Sequence, residues 1–101
     1  MQAVYVVNGV VATVTLNGRF DFNAHREFRD TIDKALGESG VRQLVLNFAN
    51  VDYIDSSALG MLMLLKEKAD NGHKQVTLTN CKGPARQVLE IANFSKLFTM
   101  E

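Results

Sequence analysis

Two runs of β-branched residues open the chain, with a turn signal between them. The runs are AVYVV and VVATVTL, and Asn8-Gly9 lies between them. Asn-Gly is a strong short-range signal for a two-residue hairpin, because both residues tolerate positive φ. In the second run apolar and polar residues alternate, as in a half-buried strand. We therefore predict an antiparallel hairpin formed by Val4–Val7 and Val11–Leu16.

Helical and strand patterns alternate along the rest of the chain. Apolar residues at helical spacing predict a first helix, with Asn23 as its N-cap and Gly37 or Gly40 at its end. RQLVLNFANV is typical of a buried strand, and a second helix is predicted from about Ser57 to Asp70. KQVTLTN is a further strand, and Pro84 begins a third helix that precedes a last short element.

This β-β-α-β-α-β-α order decides the fold class. Strands separated by helices favour parallel pairing through right-handed crossovers, and the first hairpin adds an antiparallel edge. We predict a single α/β domain over residues 1–101, with a mixed sheet of four to five strands and helices packed mainly on one side. The 101 residues are enough for one core, and the chain has no linker-like or repeated segment.

Composition narrows the class of protein. Apolar residues make up 47% of the chain and charged residues 22%, which indicates a globular protein. Eleven basic residues balance eleven acidic ones, so we expect no nucleic-acid partner. The longest apolar run, Ala58 to Leu65, is far shorter than a membrane span, and the N-terminus does not resemble a signal peptide. With one cysteine, Cys81, the sequence predicts a soluble cytoplasmic protein with no membrane association.

Residue types that carry catalysis or bind metals are sparse. His25 and His73 lie far apart, and neither has a Cys or His at ligand spacing, so we predict no metal site. Cys81 is interpreted as a packing residue. The sequence contains neither a glycine-rich phosphate loop nor the G-x-S-x-G elbow of a serine hydrolase. We therefore predict no catalytic residue and no cofactor.

Asp55-Ser56-Ser57 joins the third strand to the second helix, and two interpretations of it stay open. One serine is enough to cap a helix, at about 1 kcal/mol. The other hydroxyl is then free at the carboxyl end of the sheet, where open α/β folds present functional sites. A phosphate there would face the positive end of a helix and add about −1.5 to −2 charge. The segment is therefore a helix cap alone or also a modification site.

Three segments together resemble the STAS domain, in particular the stand-alone anti-sigma factor antagonists of bacterial partner-switching systems. They are LNGRFD, LVLNFANVDYIDSSALGMLM and GPARQVLEIANFSKLF. The resemblance covers almost the whole chain in the right order and spacing. Its most specific part is Asp-Ser-Ser with the following Leu-Gly. It implies a STAS-like sheet of the kind predicted above.

The resemblance also assigns roles to individual residues. Ser56, the first residue after the Asp, is implied to be the phosphorylated serine. Asp55 and Ser57 flank it, and we expect Ser57 to cap the helix. Asp21, after LNGRF, matches an acidic residue that the family places in a loop beside the phosphosite. Ala58 stands where the commonest family pattern has glycine, and since alanine favours helix we expect tighter helix initiation.

The function that the resemblance implies is binding and not catalysis. The partners would be a HATPase-type switch kinase that resembles an anti-sigma factor, and a PP2C-type serine phosphatase. The unphosphorylated form would bind the kinase or anti-sigma factor. Phosphate at Ser56 would block docking, because a buried dianion without an arginine partner costs several kcal/mol.

Two other functions are weighed against this one. The first is an unphosphorylated STAS scaffold subunit of a lipid-transport or stress-sensing assembly, and the intact Ser56 favours the switch over it. The second is a small acyl hydrolase, which would need a histidine near the serine. Neither His25 nor His73 is placed in the sequence to serve.

The second helix carries five apolar residues in succession, Met61 to Leu65. A helix with one buried face needs only three or four apolar positions per two turns, so at least one should point outward. The spacing of Leu59, Leu62 and Leu65 places the core side away from Met63. We expect Met63, with Met61, to supply the apolar centre of a partner interface, since flexible thioethers adapt to a partner's shape. The alternative is a helix buried on both sides beneath the C-terminal FSKLF segment.

Overall fold

A computed structural model describes the whole chain, Met1 to Glu101. The strands are β1 (Gln2–Asn8), β2 (Val11–Phe20), β3 (Gln43–Ile54), β4 (Gln75–Thr79) and β5 (Thr99–Met100). The helices are α1 (His25–Gly37), α2 (Ser56–Asn71) and α3 (Gly83–Ile91), with short 3-10 turns at Phe22–Ala24 and Phe94–Lys96. The predicted order of elements is confirmed. The last short element, predicted without a type, consists of the 3-10 turn at Phe94–Lys96 and the two-residue strand β5.

The hairpin is confirmed, but its turn is shifted by one residue. β1 and β2 pair antiparallel from Gln2 opposite Asn17 to Asn8 opposite Val11. The loop therefore consists of Gly9 and Val10, and Asn8 ends β1. Gly9 has φ +64°, so the glycine alone supplies the left-handed residue that a two-residue loop needs at its first position.

The five strands lie side by side in chain order. β1 pairs antiparallel with β2, and β2–β3, β3–β4 and β4–β5 are parallel. Each parallel connection contains one helix and steps in the same direction across the sheet. Right-handed crossovers therefore place α1, α2 and α3 on the same face. This confirms the predicted mixed sheet with helices on one side.

Alternate residues of the strands form the core beneath the helices. In β2 and β3 the fully buried positions are Ala12, Val14, Leu16, Phe20, Leu44, Leu46 and Phe48. The ring of Phe20, at the end of β2, lies 4.9 Å from that of Phe28 in α1 and 6.2 Å from that of Phe48. These contacts anchor the end of β2, which fixes where the next residue, Asp21, begins. No helix has both the length and the apolar character to cross a bilayer.

The outer edge of β1 is partly occupied by side chains of α1. The N–H of Ala3 donates to Glu27 Oε2 at 3.2 Å, and the hydroxyl of Thr31 donates to the carbonyl oxygen of Ala3 at 3.4 Å. Residues on alternate positions of a strand point their backbone groups to the same side, so Tyr5 and Val7 also direct theirs to this edge. Side chains of α1 therefore satisfy the backbone N–H and carbonyl groups of Ala3, at the start of an edge that would otherwise be open.

Candidate functional site: the carboxyl ends of β2 and β3

Two aspartates lie next to each other where β2 and β3 end. Phe20 and Ile54 are register partners, so Asp21 and Asp55 follow at the same edge of the sheet. The N–H of Asp55 donates to the carbonyl oxygen of Phe20 at 3.3 Å, which ties the start of the second connection to the end of β2. The resemblance implies that Asp21 lies beside Ser56. The register places the ends of β2 and β3, which precede these two residues, next to each other.

Asp55, and not Ser57, is the N-cap of α2. Its backbone is extended, and its Oδ1 accepts from the N–H groups of Ser57 at 2.9 Å and Ala58 at 3.3 Å. The sequence-based assignment of the cap to Ser57 is therefore wrong. A carboxylate one position before the helix satisfies two free N–H groups and carries the charge that the helix N-terminus favours. Ala58 is fully buried, so its methyl group packs in the core.

The cap leaves Ser56 available. Ser56 is the first residue of α2 and is exposed, whereas Ser57 is half-buried. The Ser56 hydroxyl therefore lies at the positive end of a helix of 16 residues, with no capping role to perform. An anion attached there would be stabilised by the helix N-terminus.

Asp21 performs the same task at the end of β2. Its side chain accepts from the N–H of Asn23 at 3.0 Å and so caps the 3-10 turn that precedes α1. The prediction of Asn23 as N-cap is wrong, because Asn23 contributes a backbone donor and α1 begins only at His25. Asp21 also pairs with Arg19 Nε at 3.3 Å, and the Arg19 guanidinium lies 3.9 Å from the centre of the Tyr53 ring.

The outer face of α2, defined by Ser56, Gly60, Met63 and Leu64, extends from the serine toward the middle of the helix. Positions four and seven residues apart share a helix face, which places Gly60 and Met63 below Ser56. Met63 and Leu64 are 54% and 55% exposed, so the expected exposure of Met63 is confirmed. The alternative of a helix buried on both sides is wrong for the same reason.

Met61 was expected on the partner surface with Met63, and this placement is wrong. Only 7% of Met61 is exposed. It lies three residues after the buried Ala58 and lines the contact region with Phe28 and Ile32 of α1, so it is not part of the outer face of α2. The sequence could not separate the two methionines by type, since both are apolar and only the helix rotation distinguishes them.

A shallow groove between α1 and α2 borders the outer face of α2 and was not predicted. Its floor is apolar, with Phe28, Ile32 and Met61, and basic side chains line it at Arg29 and Lys68. Its volume is about 50 Å³, far below the roughly 300–1,000 Å³ of a small-molecule site. The groove can therefore accept a side chain from a partner more readily than a metabolite. The helical spacing of α1 implied its apolar side, but not how α2 would lie against it.

Gly60 has no structural reason within the domain to be glycine. It lies in the interior of α2 without a positive φ, and a Cβ built on it meets nothing within 4 Å. Glycine in a helix interior costs about 0.5–1 kcal/mol relative to alanine. On the outer face of α2, the backbone at Gly60, between Ser56 and Met63, is therefore not covered by a side chain.

The remaining reactive side chains do not converge. Burial raises the pKa of the Cys81 thiol to about 11, against a smaller opposing effect of Arg86. The thiol is therefore protonated at neutral pH and packs as a small apolar group, as the sequence indicated. No group of three or more His, Cys, Asp or Glu side chains is arranged to hold a metal ion.

The chain is similar to known proteins over almost its full length. A family model described as the STAS domain matches residues 2–101. A STAS-domain containing protein of Pseudomonas aeruginosa (strain UCBPP-PA14) is 42% identical over 91 residues, which cover 90% of this chain and 88% of that protein.

Solved structures agree with the architecture. An anti-sigma factor antagonist from Mycobacterium paratuberculosis has a TM-score of 0.85 at 20% identity, covering 98% of this chain and 83% of that chain. The Bacillus cell fate determinant SpoIIAA, in its phosphorylated form, has a TM-score of 0.73 at 19% identity, covering 98% and 90%. These likenesses establish the fold, and the match to the family model together with the Pseudomonas relative establishes that the chain belongs to the STAS domain family.

Proposed function

We propose that this protein is an anti-sigma factor antagonist whose binding to its partner is switched by phosphorylation of Ser56. The observation that carries the proposal is the exposed Ser56 hydroxyl at the first position of α2, which is free because the Asp55 carboxylate caps the helix. A fold relative, SpoIIAA, exists in a phosphorylated form, which supports the same chemistry here. The protein acts in the cytoplasm as a substrate and a binding partner and not as an enzyme.

The outer face of α2 forms the docking surface in this proposal. Ser56 lies at its rim, and the exposed Met63 and Leu64 supply an apolar centre of the kind that partner interfaces bury. The bare backbone at Gly60 allows a partner to approach the helix closely between them. The basic side chains of the neighbouring groove, Lys68 and Arg29, are already paired with Asp33 and Asp30, so they add little charge preference to this surface.

Phosphorylation disfavours the complex more than it disturbs the free domain. In the free domain the added charge of about −1.5 to −2 faces the positive end of α2 and remains in water. In the complex it must lose that water while next to the Asp55 carboxylate. Arg19, on the same edge of the sheet, is already engaged by Asp21 and Tyr53. A desolvated dianion without a dedicated arginine costs several kcal/mol, which is enough to release a partner.

The partners proposed are a HATPase-type kinase that serves as the anti-sigma factor and a PP2C-type phosphatase that restores the free hydroxyl. The phosphorylation test incubates the protein with ATP and each such kinase from the same genome, followed by intact-mass analysis. We expect the mass of one phosphate to be gained, lost in Ser56→Ala and kept in the matched control Ser57→Ala. A phosphate mapped to Ser57 contradicts the assignment. No phosphate with any of these kinases favours an unphosphorylated scaffold subunit.

The docking surface has its own test. Met63→Glu should weaken binding to the kinase that phosphorylates the protein by tenfold or more, about 1.4 kcal/mol, with little change in melting temperature because Met63 is exposed. Ile91→Glu is the control, since Ile91 is 82% exposed on α3, outside this surface. If Met63→Glu unfolds the domain and binding falls only in proportion, the surface is misplaced.

A further inference from the structure

One phenylalanine differs from all the others in its surroundings. The chain has six phenylalanines, and five of them are buried, with at most 4% of the residue exposed. Phe22 is 74% exposed, and its ring belongs to none of the aromatic pairs of the core. Removing this ring would therefore cost the folded domain little packing. An exposed aromatic side chain is the kind of group that partner interfaces use as an anchor.

The backbone on both sides of Phe22 is fixed. Phe20 and Ala24 are buried in the core. Between them, Asp21 Oδ1 accepts from the N–H of Asn23 at 3.0 Å, and the carbonyl oxygen of Asp21 accepts from the N–H of Ala24 at 2.9 Å. Phe22 is thus an exposed side chain on an anchored turn. Little conformational entropy is lost when a partner covers such a group, because its backbone is already ordered.

The turn that carries Phe22 lies at the same end of the sheet as Ser56. Phe20 stands two residues before Phe22, and Ile54 stands two residues before Ser56. Phe20 and Ile54 are register partners on adjacent strands, which lie about 4.8 Å apart. Since two residues span at most about 7 Å, the Cα atoms of Phe22 and Ser56 are no more than about 19 Å apart.

Ser56 is therefore flanked by exposed apolar groups in two directions. Phe22 lies across the strand ends, and Met63 lies about 10 Å along α2, at about 1.5 Å per residue. The path from Phe22 to Met63 is then at most about 30 Å long. A standard interface buries about 800 Å² on each partner, which is a patch roughly 30 Å across. A single partner can cover all three residues.

We propose that Phe22 is a second anchor of the docking surface, that it inserts into an apolar pocket of the kinase or anti-sigma partner, and that Ser56 lies inside the resulting interface. This inference rests on the proposed function, because it extends the same binding site beyond the outer face of α2. With both Phe22 and Met63 covered, the Ser56 hydroxyl loses its water in the complex. A phosphate there must be desolvated and cannot turn into solvent, so one modification releases the whole partner.

Binding of variants to the kinase that phosphorylates the protein tests the anchor, with ADP in place of ATP so that Ser56 stays unmodified. We expect Phe22→Ala to weaken binding by about tenfold or more at an unchanged melting temperature. Phe22→Tyr keeps the ring and should weaken binding much less. Ile91→Ala is the matched control, since Ile91 is also exposed but lies on α3. If Phe22→Ala binds like the wild type while Met63→Glu is weakened, the docking surface stands and the inference is overturned. If no kinase binds the wild-type chain, the proposed function is overturned with it.

Binding kinetics test the position of Ser56 within the interface. Ser56→Asp introduces a negative charge, and Ser56→Asn, of the same size without the charge, is the matched control. A charge inside an interface mainly raises the dissociation rate, whereas a charge at the rim mainly lowers the association rate and is screened by salt. We expect Ser56→Asp to dissociate faster than Ser56→Asn by about tenfold or more, also at about 0.5 M salt. A difference confined to the association rate and abolished by salt places Ser56 at the rim and overturns the inference.

Discussion

The ends of β2 and β3 are built alike, but they lead into different structures. Asp21 has φ −127° and ψ −170°, and Asp55 has φ −126° and ψ −175°, each with a carboxylate that accepts from the N–H two residues ahead. After Asp21 come a 3-10 turn and an exposed Phe22. After Asp55 come two serines and a helix of 16 residues. Only at the second strand end does the cap release a hydroxyl at a strong helix N-terminus. The same aspartate cap thus stabilises a turn at the end of β2 and, as we propose, leaves a serine free for regulation at the end of β3.

Removing the Asp55 carboxylate should produce the largest loss of stability. Asp55→Ala leaves two N–H groups of α2 without a partner, and we expect the free energy of unfolding to fall by about 1–2 kcal/mol. The melting temperature should fall by about 4–8 °C for each kcal/mol in a domain of this size. Asp55→Asn is the control, because asparagine also caps well. A melting curve of Asp55→Ala that matches the wild type would show that another group caps α2.

Replacing Gly60, on the outer face of α2, by alanine should increase the stability of the domain. Gly60→Ala adds a methyl group in open space and restores helix propensity, so we expect a gain of about 1 kcal/mol in the free energy of unfolding. Gly9→Ala is the opposite control, since its φ of +64° disfavours any side chain and the variant should lose stability. Denaturant unfolding measures both. A loss of stability in Gly60→Ala would reveal a contact of Gly60 within the domain.

The cap at the other strand end should matter less. Asp21→Ala removes one hydrogen bond to a three-residue 3-10 turn and a partly exposed ion pair with Arg19. We expect a loss of about 0.5–1 kcal/mol, smaller than that of Asp55→Ala, because exposed ion pairs contribute little. Thermal melts of the two variants side by side give the ranking. If Asp21→Ala is the more destabilising, the start of α1 depends on its cap more than the start of α2 does.

Ser57→Ala should have the smallest effect. A serine that caps would cost about 1 kcal/mol on removal, but the cap is the Asp55 carboxylate, so we expect a change below about 0.3 kcal/mol. Urea unfolding of this variant against the wild type resolves the difference. A loss near 1 kcal/mol would return the capping role to the Ser57 hydroxyl.

The fold could be predicted further than the details of its turns and caps. Hydrophobic periodicity placed each long strand and helix, since burial of one face dominates their energetics. Asp55, Ser56 and Ser57 can all cap a helix, and the sequence alone cannot tell which of three adjacent candidates does so. The predicted turn, Asn8-Gly9, lies one residue before the observed loop, because the sequence alone does not fix which adjacent residues form it. The last short element was predicted without a type, and β5 could not be identified as a strand because its two residues gain their conformation from pairing with β4.

The candidate site was predicted in part. Its residues could be named in advance because Asp-Ser-Ser is a compact local motif. Met63 was placed outward correctly from the spacing of the leucines. Met61 was misplaced, and the groove lined by Arg29 and Lys68 was not foreseen, because both depend on how α1 and α2 lie against each other. That arrangement is set by packing of side chains distant in sequence.

The agreement between strand order and chain order has a consequence for synthesis on the ribosome. Each new strand can add to the strand completed before it, so the sheet can grow by one edge as the chain emerges, and no strand has to insert between two others. The first edge is guarded at Ala3 by side chains of α1. The last, β5, is two residues long and offers little template for another chain. The sheet therefore starts from an edge that is partly covered and ends at a very short strand. Both features limit the pairing of the growing sheet with a strand of another chain.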